Sequence, residues 1–284
     1  MPYAASEVWQ ADMPAPGDLG DSGAADTASQ PAGPGAVDAE VAADASPGEV
    51  TCTRVCNAAT PVYPTVFLDG GQGNITMYTT EPSTGGACNY GATSVRYFAA
   101  VNVNVDPGDG RGQWQGGHIC GQCAEVTALT SQGPQSVVVR IMDKCPDGYC
   151  GMDLGGAAPA AVMRDGFGRY DGYWRLVSCA GHPEVYDGST SLFVVAGANA
   201  YWSRVQIRNP PGAVDGIAWS DPQGGNGFFA YATDPENTFE VPAEVLQSLS
   251  ESVTITARFN DGSTATTAVN PAQLAAGNSS YPLQ

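Results

Sequence analysis

Cys120-Gly121-Gln122-Cys123-Ala124-Glu125-Val126 is followed by Val139-Arg140-Ile141-Met142-Asp143-Lys144-Cys145-Pro146 and then by Met152-Asp153-Leu154. Half-cystines, apolar strand-like runs and two carboxylates come in that order within a short span. The eight cysteines, Cys52, Cys56, Cys88, Cys120, Cys123, Cys145, Cys150 and Cys179, are an even set in loop-like settings. That argues for disulfides and an oxidising compartment. A zinc site needs four converging ligands. Cys120 and Cys123 offer half of one, but no second matching pair follows, and His118 and His182 are the only histidines. No metal and no cofactor is expected. The order suggests a rigid, disulfide-braced β-barrel of an exported protein.

The rest of the chain fits that frame. Its 284 residues suffice for one or two domains with their own cores. Charged residues make up 14%, well under the ~25% of ordinary soluble domains, while 36 Gly and 21 Pro make turns frequent and long helices scarce. The net charge is −18, and Lys144 is the only lysine. Such a surface repels nucleic-acid phosphates, anionic membranes and acidic polymers such as pectin, so neither nucleic acid nor membrane insertion is expected. A neutral partner remains compatible. No segment is long and apolar enough to cross a membrane as a helix. Met1 to Gln10 is not an apolar run, so the leader that export requires is expected to be missing from this sequence.

Four zones follow from composition and pattern. Residues 1–50 carry no Lys or Arg and are rich in Ala, Asp, Gly, Pro and Ser. They cannot bury enough apolar surface to offset their ordering entropy and read as a disordered acidic tether. Residues 51–65 form a Cys-containing connector. Residues 66–183 hold strand-like runs at Ile75–Thr79, Tyr97–Val105 and Tyr173–Cys179. A hairpin of Ala124–Leu129 and Ser136–Met142 surrounds Ser131-Gln132-Gly133-Pro134, and Ala157–Met163 is the best short helix. Residues 184–284 hold evenly spaced short strands at Leu192–Val195, Trp202–Arg208, Gly216–Trp219, Phe228–Tyr231, Thr238–Val241 and Val253–Phe259, separated by turns such as Asn260-Asp261-Gly262. That spacing predicts a small β-sandwich.

Asp143 and Asp153 are the candidates for chemistry. Asp143 closes an apolar strand, and Asp153 follows the tight Cys145-to-Cys150 loop. Carboxylates held in this way can meet a sugar hydroxyl or a glycosidic oxygen, and glycoside hydrolysis uses two of them. Either could equally cap a turn. Spacing alone leaves the two readings level.

A resemblance weighs more. Gly85-Gly86-Ala87-Cys88-Asn89-Tyr90, Cys120-Gly121-Gln122-Cys123, Arg140-Ile141-Met142-Asp143-Lys144-Cys145-Pro146, Met152-Asp153-Leu154, Trp174-Arg175 and Tyr201-Trp202-Ser203-Arg204-Val205-Gln206-Ile207-Arg208-Asn209 resemble the expansins, in that family's order. The resemblance implies an all-β chain: a six-stranded double-psi β-barrel followed by an immunoglobulin-like cellulose-binding sandwich. It implies that Thr76 and Tyr78 stand in the barrel groove, that Asp153 is the groove's essential aspartate and that Asp143 is its second acid. In the related barrel endoglucanases an aspartate at the Asp153 position is the general acid, and the base comes from an early segment. No acidic counterpart stands around Thr76 here, although Glu81 is close in sequence. Tyr201 and Trp202 match the aromatic pair that stacks on glucose rings. The segment that gives the family its third platform aromatic is matched by Asp234-Pro235-Glu236-Asn237-Thr238-Phe239, which lacks the tyrosine, so Tyr231 or Phe229 is expected to substitute. The resemblance also pairs Cys88 with Cys120, Cys123 with Cys179 and Cys145 with Cys150. Cys52 and Cys56 pair with each other or with another chain.

The expectation is therefore a secreted, monomeric protein that binds cellulose, xyloglucan, xylan or peptidoglycan and loosens the polymer without net hydrolysis. Two rivals share the fold. An endoglucanase or lytic transglycosylase would need a second groove acid such as Glu81 or Asp109. A carbohydrate-binding module would have an inert barrel.

Overall fold

The computed structural model describes residues 55–105, 113–248 and 252–284. The tether read at residues 1–50, Cys52 and Asp109 lie outside the described residues.

Strands β1 (Thr65–Phe67), β2 (Gly70–Met77), β3 (Tyr97–Asn102), β4 (Cys123–Thr130), β5 (Gly133–Cys145), β6 (Met152–Gly156) and β7 (Tyr170–Val177) share one sheet. Its order is β1-β2-β6-β3-β5-β4-β7, and β7 returns to pair with β2. Six strands therefore close a barrel, with β1 added to β2 on its outside. The pairs β2–β6 and β3–β5 are parallel, and the other pairs of the barrel are antiparallel. Closure leaves those six strands no free edge. Ile75, Phe98, Val126, Ile141, Leu154 and Trp174 fill the interior.

Two local departures from the sequence pattern matter. The hairpin strand expected from Ser136 starts at Gly133, because Ser131-Gln132 is a two-residue turn with Thr130 opposite Gly133. The segment Met152–Gly156 is too short and glycine-rich to read as a strand, yet it pairs on both sides, with β2 and β3. Glycine is required within it: a Cβ at Gly155 would stand 2.1 Å from the Phe98 ring.

The second half is a sandwich. Strands β8 (Ser191–Val194), β9 (Arg204–Arg208), β10 (Val214–Ser220), β11 (Asn226–Phe228), β12 (Ala230–Ala232), β13 (Thr238–Glu240), β14 (Val253–Phe259), β15 (Thr264–Val269) and β16 (Ser279–Pro282) form two antiparallel sheets. One runs β11-β10-β14-β15 and the other β12-β13-β9-β8-β16. Leu192, Ile207, Ile217, Trp219, Ile255 and Phe259 belong to the core between them. This is the expected immunoglobulin-like sandwich, with one correction. The single strand read at Phe228–Tyr231 is two strands in different sheets, with Phe229 buried at the crossover. Alternation along one strand cannot reveal such a switch.

Barrel and sandwich meet across a polar seam. The Arg140 guanidinium donates to Pro210 O at 2.8 Å. Gln206 and Asn237 both donate to Cys88 O, at 2.9 and 2.8 Å. Lys144 pairs with Glu236 at 3.0 Å.

Candidate functional site

Four neighbouring strands bring the candidate residues into one row. In β2–β6, Thr76 stands opposite Asp153. In β3–β6, Asp153 stands opposite Ala100. In β3–β5, Ala100 stands opposite Asp143. The row Thr76, Asp153, Ala100, Asp143 thus crosses the outer face of the barrel wall. Cross-strand partners share a face, and one-residue alternation puts Ile75, Met152 and Leu154 on the inner face.

A bulge sets the far end of this row. The register between β3 and β5 shifts after Ala99, so that Ala99 faces Ile141 while Ala100 faces Asp143. Met142 is the extra residue. Strict alternation would put Asp143 on the face of Ile141, in the core. The bulge buries Ile141 and Met142 in succession and turns Asp143 outward. Asp143 Oδ1 then accepts from Ala87 N and Lys144 N, both at 2.9 Å. The 3-10 turn Gly86–Cys88 sits hard against it. Gly86 has φ 52°, and a Cβ there would lie 2.8 Å from the Asp143 Cβ.

Asp153 is differently placed. Thr76 Oγ1 donates to its Oδ1 at 2.6 Å. Burial is the main force on its carboxyl and raises its pKa above the ordinary value. The Thr76 hydrogen bond opposes this, and the charges of Asp147 and Asp143 add to it. Tyr78 stands just beyond β2, edge-on to Phe98 with centroids 6.1 Å apart. Burial, then the charges of Asp143 and Asp153, push its phenol up. The structure therefore brings Thr76, Tyr78, Asp143 and Asp153 together. Glu81 is exposed beyond the end of β2.

The Cys145–Cys150 loop joins β5 to β6, the strands that carry Asp143 and Asp153. Asn102, wholly buried, donates to Asp147 O at 2.8 Å and to Cys150 O at 2.7 Å. On this loop Tyr149 lies 4.6 Å, centroid to centroid, from Tyr63. The sequence reading missed both tyrosines. A signal was present: an aromatic inside a disulfide loop this tight has no core to enter. The other disulfides are Cys88–Cys120 and Cys123–Cys179. Cys120 and Cys123 thus belong to different disulfides, which removes the half zinc site considered for them. Cys56 is buried and not free.

On the sandwich, Tyr201 is 84% exposed and Trp202 42%. The Asn199 side chain accepts from both backbone N–H groups at 2.9 and 3.1 Å, and Arg204 lies 5.5 Å over the Trp202 ring. Both rings face out because they sit in a turn, where the alternation that would bury one of them does not apply. Phe229 is core. Tyr231 faces the seam: its ring stacks on His118 at 3.8 Å, and its hydroxyl donates to Gly116 O and accepts from Asn237 N. One face of the ring is therefore covered by the barrel.

Residues 92–179, which hold Asp143, Asp153 and five of the barrel strands, match the sequence model of the Barwin family. The barrel and the sandwich together have the fold of a Clavibacter michiganensis expansin, with a TM-score of 0.57 at 17% identity, covering 75% of this chain and 95% of that one. An Asp→Asn mutant of the Clavibacter michiganensis expansin, in complex with cellohexaose, matches with a TM-score of 0.56 at 16% identity, over 75% of this chain and 95% of that one. No curated protein sequence matches the chain. These likenesses carry the fold; the candidate chemistry lies in the row of side chains across the barrel wall.

Proposed function

We propose that the protein is an exported, expansin-like polysaccharide-binding protein, monomeric, that holds cellulose or a related neutral glucan and loosens it without net hydrolysis. The observation that carries this reading is the row Thr76, Asp153, Ala100, Asp143. It sets two carboxylates and a hydroxyl across an open wall, with small Ala100 between them as a floor. A glucan chain laid across it meets acceptors at two points. Asp153, with its raised pKa, also gains a proton at a higher pH than an ordinary carboxyl does and then donates to a sugar oxygen. Its competition for chain-to-chain hydrogen bonds therefore strengthens as pH falls. Tyr201 and Trp202 add a flat apolar surface that suits the faces of glucose rings. The disulfides fit an oxidising, extracellular setting. The related expansin fold was captured with cellohexaose, which agrees with a neutral β-glucan as partner.

A buried carboxyl with a raised pKa is also what a glycosidase uses as general acid. The arrangement favours grip over cleavage. Asp143 stands two strands from Asp153, with Ala100 between them. Its Oδ1 is also occupied by two backbone N–H groups. The test is a pull-down on cellulose, xylan and peptidoglycan with soluble sugar assayed in parallel. Retention on cellulose with no sugar released is expected. Sugar or anhydrosugar release would transfer the reading to the hydrolase or lytic class, and failure to bind any of the three would end it.

A further inference from the structure

We propose that Tyr63 and Tyr149 form a sugar-stacking subsite that extends the barrel groove past the Cys145–Cys150 loop and selects a neutral glucan chain over an acidic one. This rests on the groove reading above and adds its length and charge preference. Two exposed rings, 4.6 Å apart and tilted by 37°, lie beside a groove that otherwise grips through oxygen atoms. Tyr63 is 69% exposed, so the contact with Tyr149 does little to remove it from water.

Both rings are held in advance of any ligand. Tyr63 lies in Pro61-Val62-Tyr63-Pro64, where flanking prolines restrict the backbone and the residue before proline is driven extended. Buried Asn74 ties this segment to β2, accepting from Val62 N at 2.9 Å and donating to Thr60 O at 3.3 Å. Tyr63 lies across Gly148, where an added Cβ would come within 3.0 Å of the ring. Tyr149 is fixed by the disulfide, by Asn102 beneath the loop, and by its own N–H donating to Asp147 Oδ1 at 3.0 Å. Rings ordered beforehand lose little entropy when a sugar stacks on them.

The subsite joins the groove. Gly151 N donates to Asn74 O at 2.8 Å, so the loop carrying Tyr149 feeds directly into the Ile75–Met152 and Thr76–Asp153 pairs. The charge of Asp147 reaches Asp153. A chain running from Asp143 past Asp153 to the tyrosines therefore passes three carboxylates, which repel uronate units and leave neutral hexoses favoured.

The test compares binding of the whole protein to cellotriose, cellohexaose and oligogalacturonate by calorimetry. Tyr63→Ala/Tyr149→Ala is expected to bind cellohexaose roughly tenfold more weakly than wild type, with cellotriose affinity changed less than about twofold. Tyr63→Phe/Tyr149→Phe, which keeps both rings and guards against a folding loss, should recover most of the cellohexaose affinity that the double alanine variant loses. Asp147→Asn should raise affinity for oligogalacturonate alone. If wild type binds cellohexaose and the double alanine variant matches it, the subsite is refuted while the groove reading stands. If wild type binds no cello-oligosaccharide, both fall.

Discussion

The barrel and the sandwich solve the same problem by different means. On the proposed reading, both offer a surface to a polymer. The barrel holds the disulfides Cys88–Cys120, Cys123–Cys179 and Cys145–Cys150, whereas the sandwich contains no cysteine after Cys179 and relies on an apolar core between two sheets. The row Thr76, Asp153, Ala100, Asp143 is polar at both ends and depends on a bulge that turns a single carboxylate. The aromatic face is two rings in one turn. A polar grip needs its oxygens fixed relative to one another, and that requires a braced wall. Stacking tolerates looser placement, and an apolar core suffices to carry it.

The comparison can be broken most forcefully at Cys123–Cys179. Closing its 56-residue separation contributes ~4 kcal/mol in the chain-entropy model. Replacing both cysteines by serine should lower the stability of the barrel by that order and leave the melting of the sandwich within the whole protein as before, measured by calorimetry. Next is Trp202→Ala. It should weaken retention on insoluble cellulose by ~1.5–3 kcal/mol, ten- to a hundredfold, with the melting temperature unchanged, since the exposed ring supports no core. Smaller is Tyr231→Phe. Loss of the hydroxyl that bonds Gly116 O and Asn237 N should cost ~1–3 kcal/mol of stability at the seam, with cellulose retention preserved.

The last effect depends on pH. The Asp153 carboxyl has a raised pKa when folded, so between its unfolded and folded values the native state binds more protons than the unfolded state. Stability therefore falls as pH rises through that window. Asp153→Asn removes this dependence. It should melt higher than wild type at neutral pH, and the gap should close once the pH drops below the ordinary carboxylate range.

Much of this was legible in the sequence, and the exceptions have physical causes. The cysteine set and the alternating strands marked a disulfide-braced barrel and a sandwich. Asp143 and Asp153 stood out because each ends or follows a constrained element. The Met142 bulge was hidden, because Ile141-Met142-Asp143 reads as an ordinary strand end. Strand β6 was hidden because its glycines serve packing against Phe98, and propensity counts them against a strand. The split at Phe229 and the turn of Tyr231 toward His118 depend on long-range docking of the sandwich against the barrel, which no local pattern encodes. Tyr63 and Tyr149 are far apart in sequence and meet only because Asn74 ties their two segments to adjoining strands.

The most direct measurement is the extension of a cellulose-rich wall or paper strip under constant load, with soluble sugar assayed in the same bath, for wild type and Asp153→Asn. Wild type is predicted to increase extension with no sugar released, more so as pH falls, and Asp153→Asn to abolish the increase while still binding cellulose through Tyr201 and Trp202. Extension that survives Asp153→Asn, or that rises only in step with released sugar, would contradict a non-hydrolytic grip centred on Asp153.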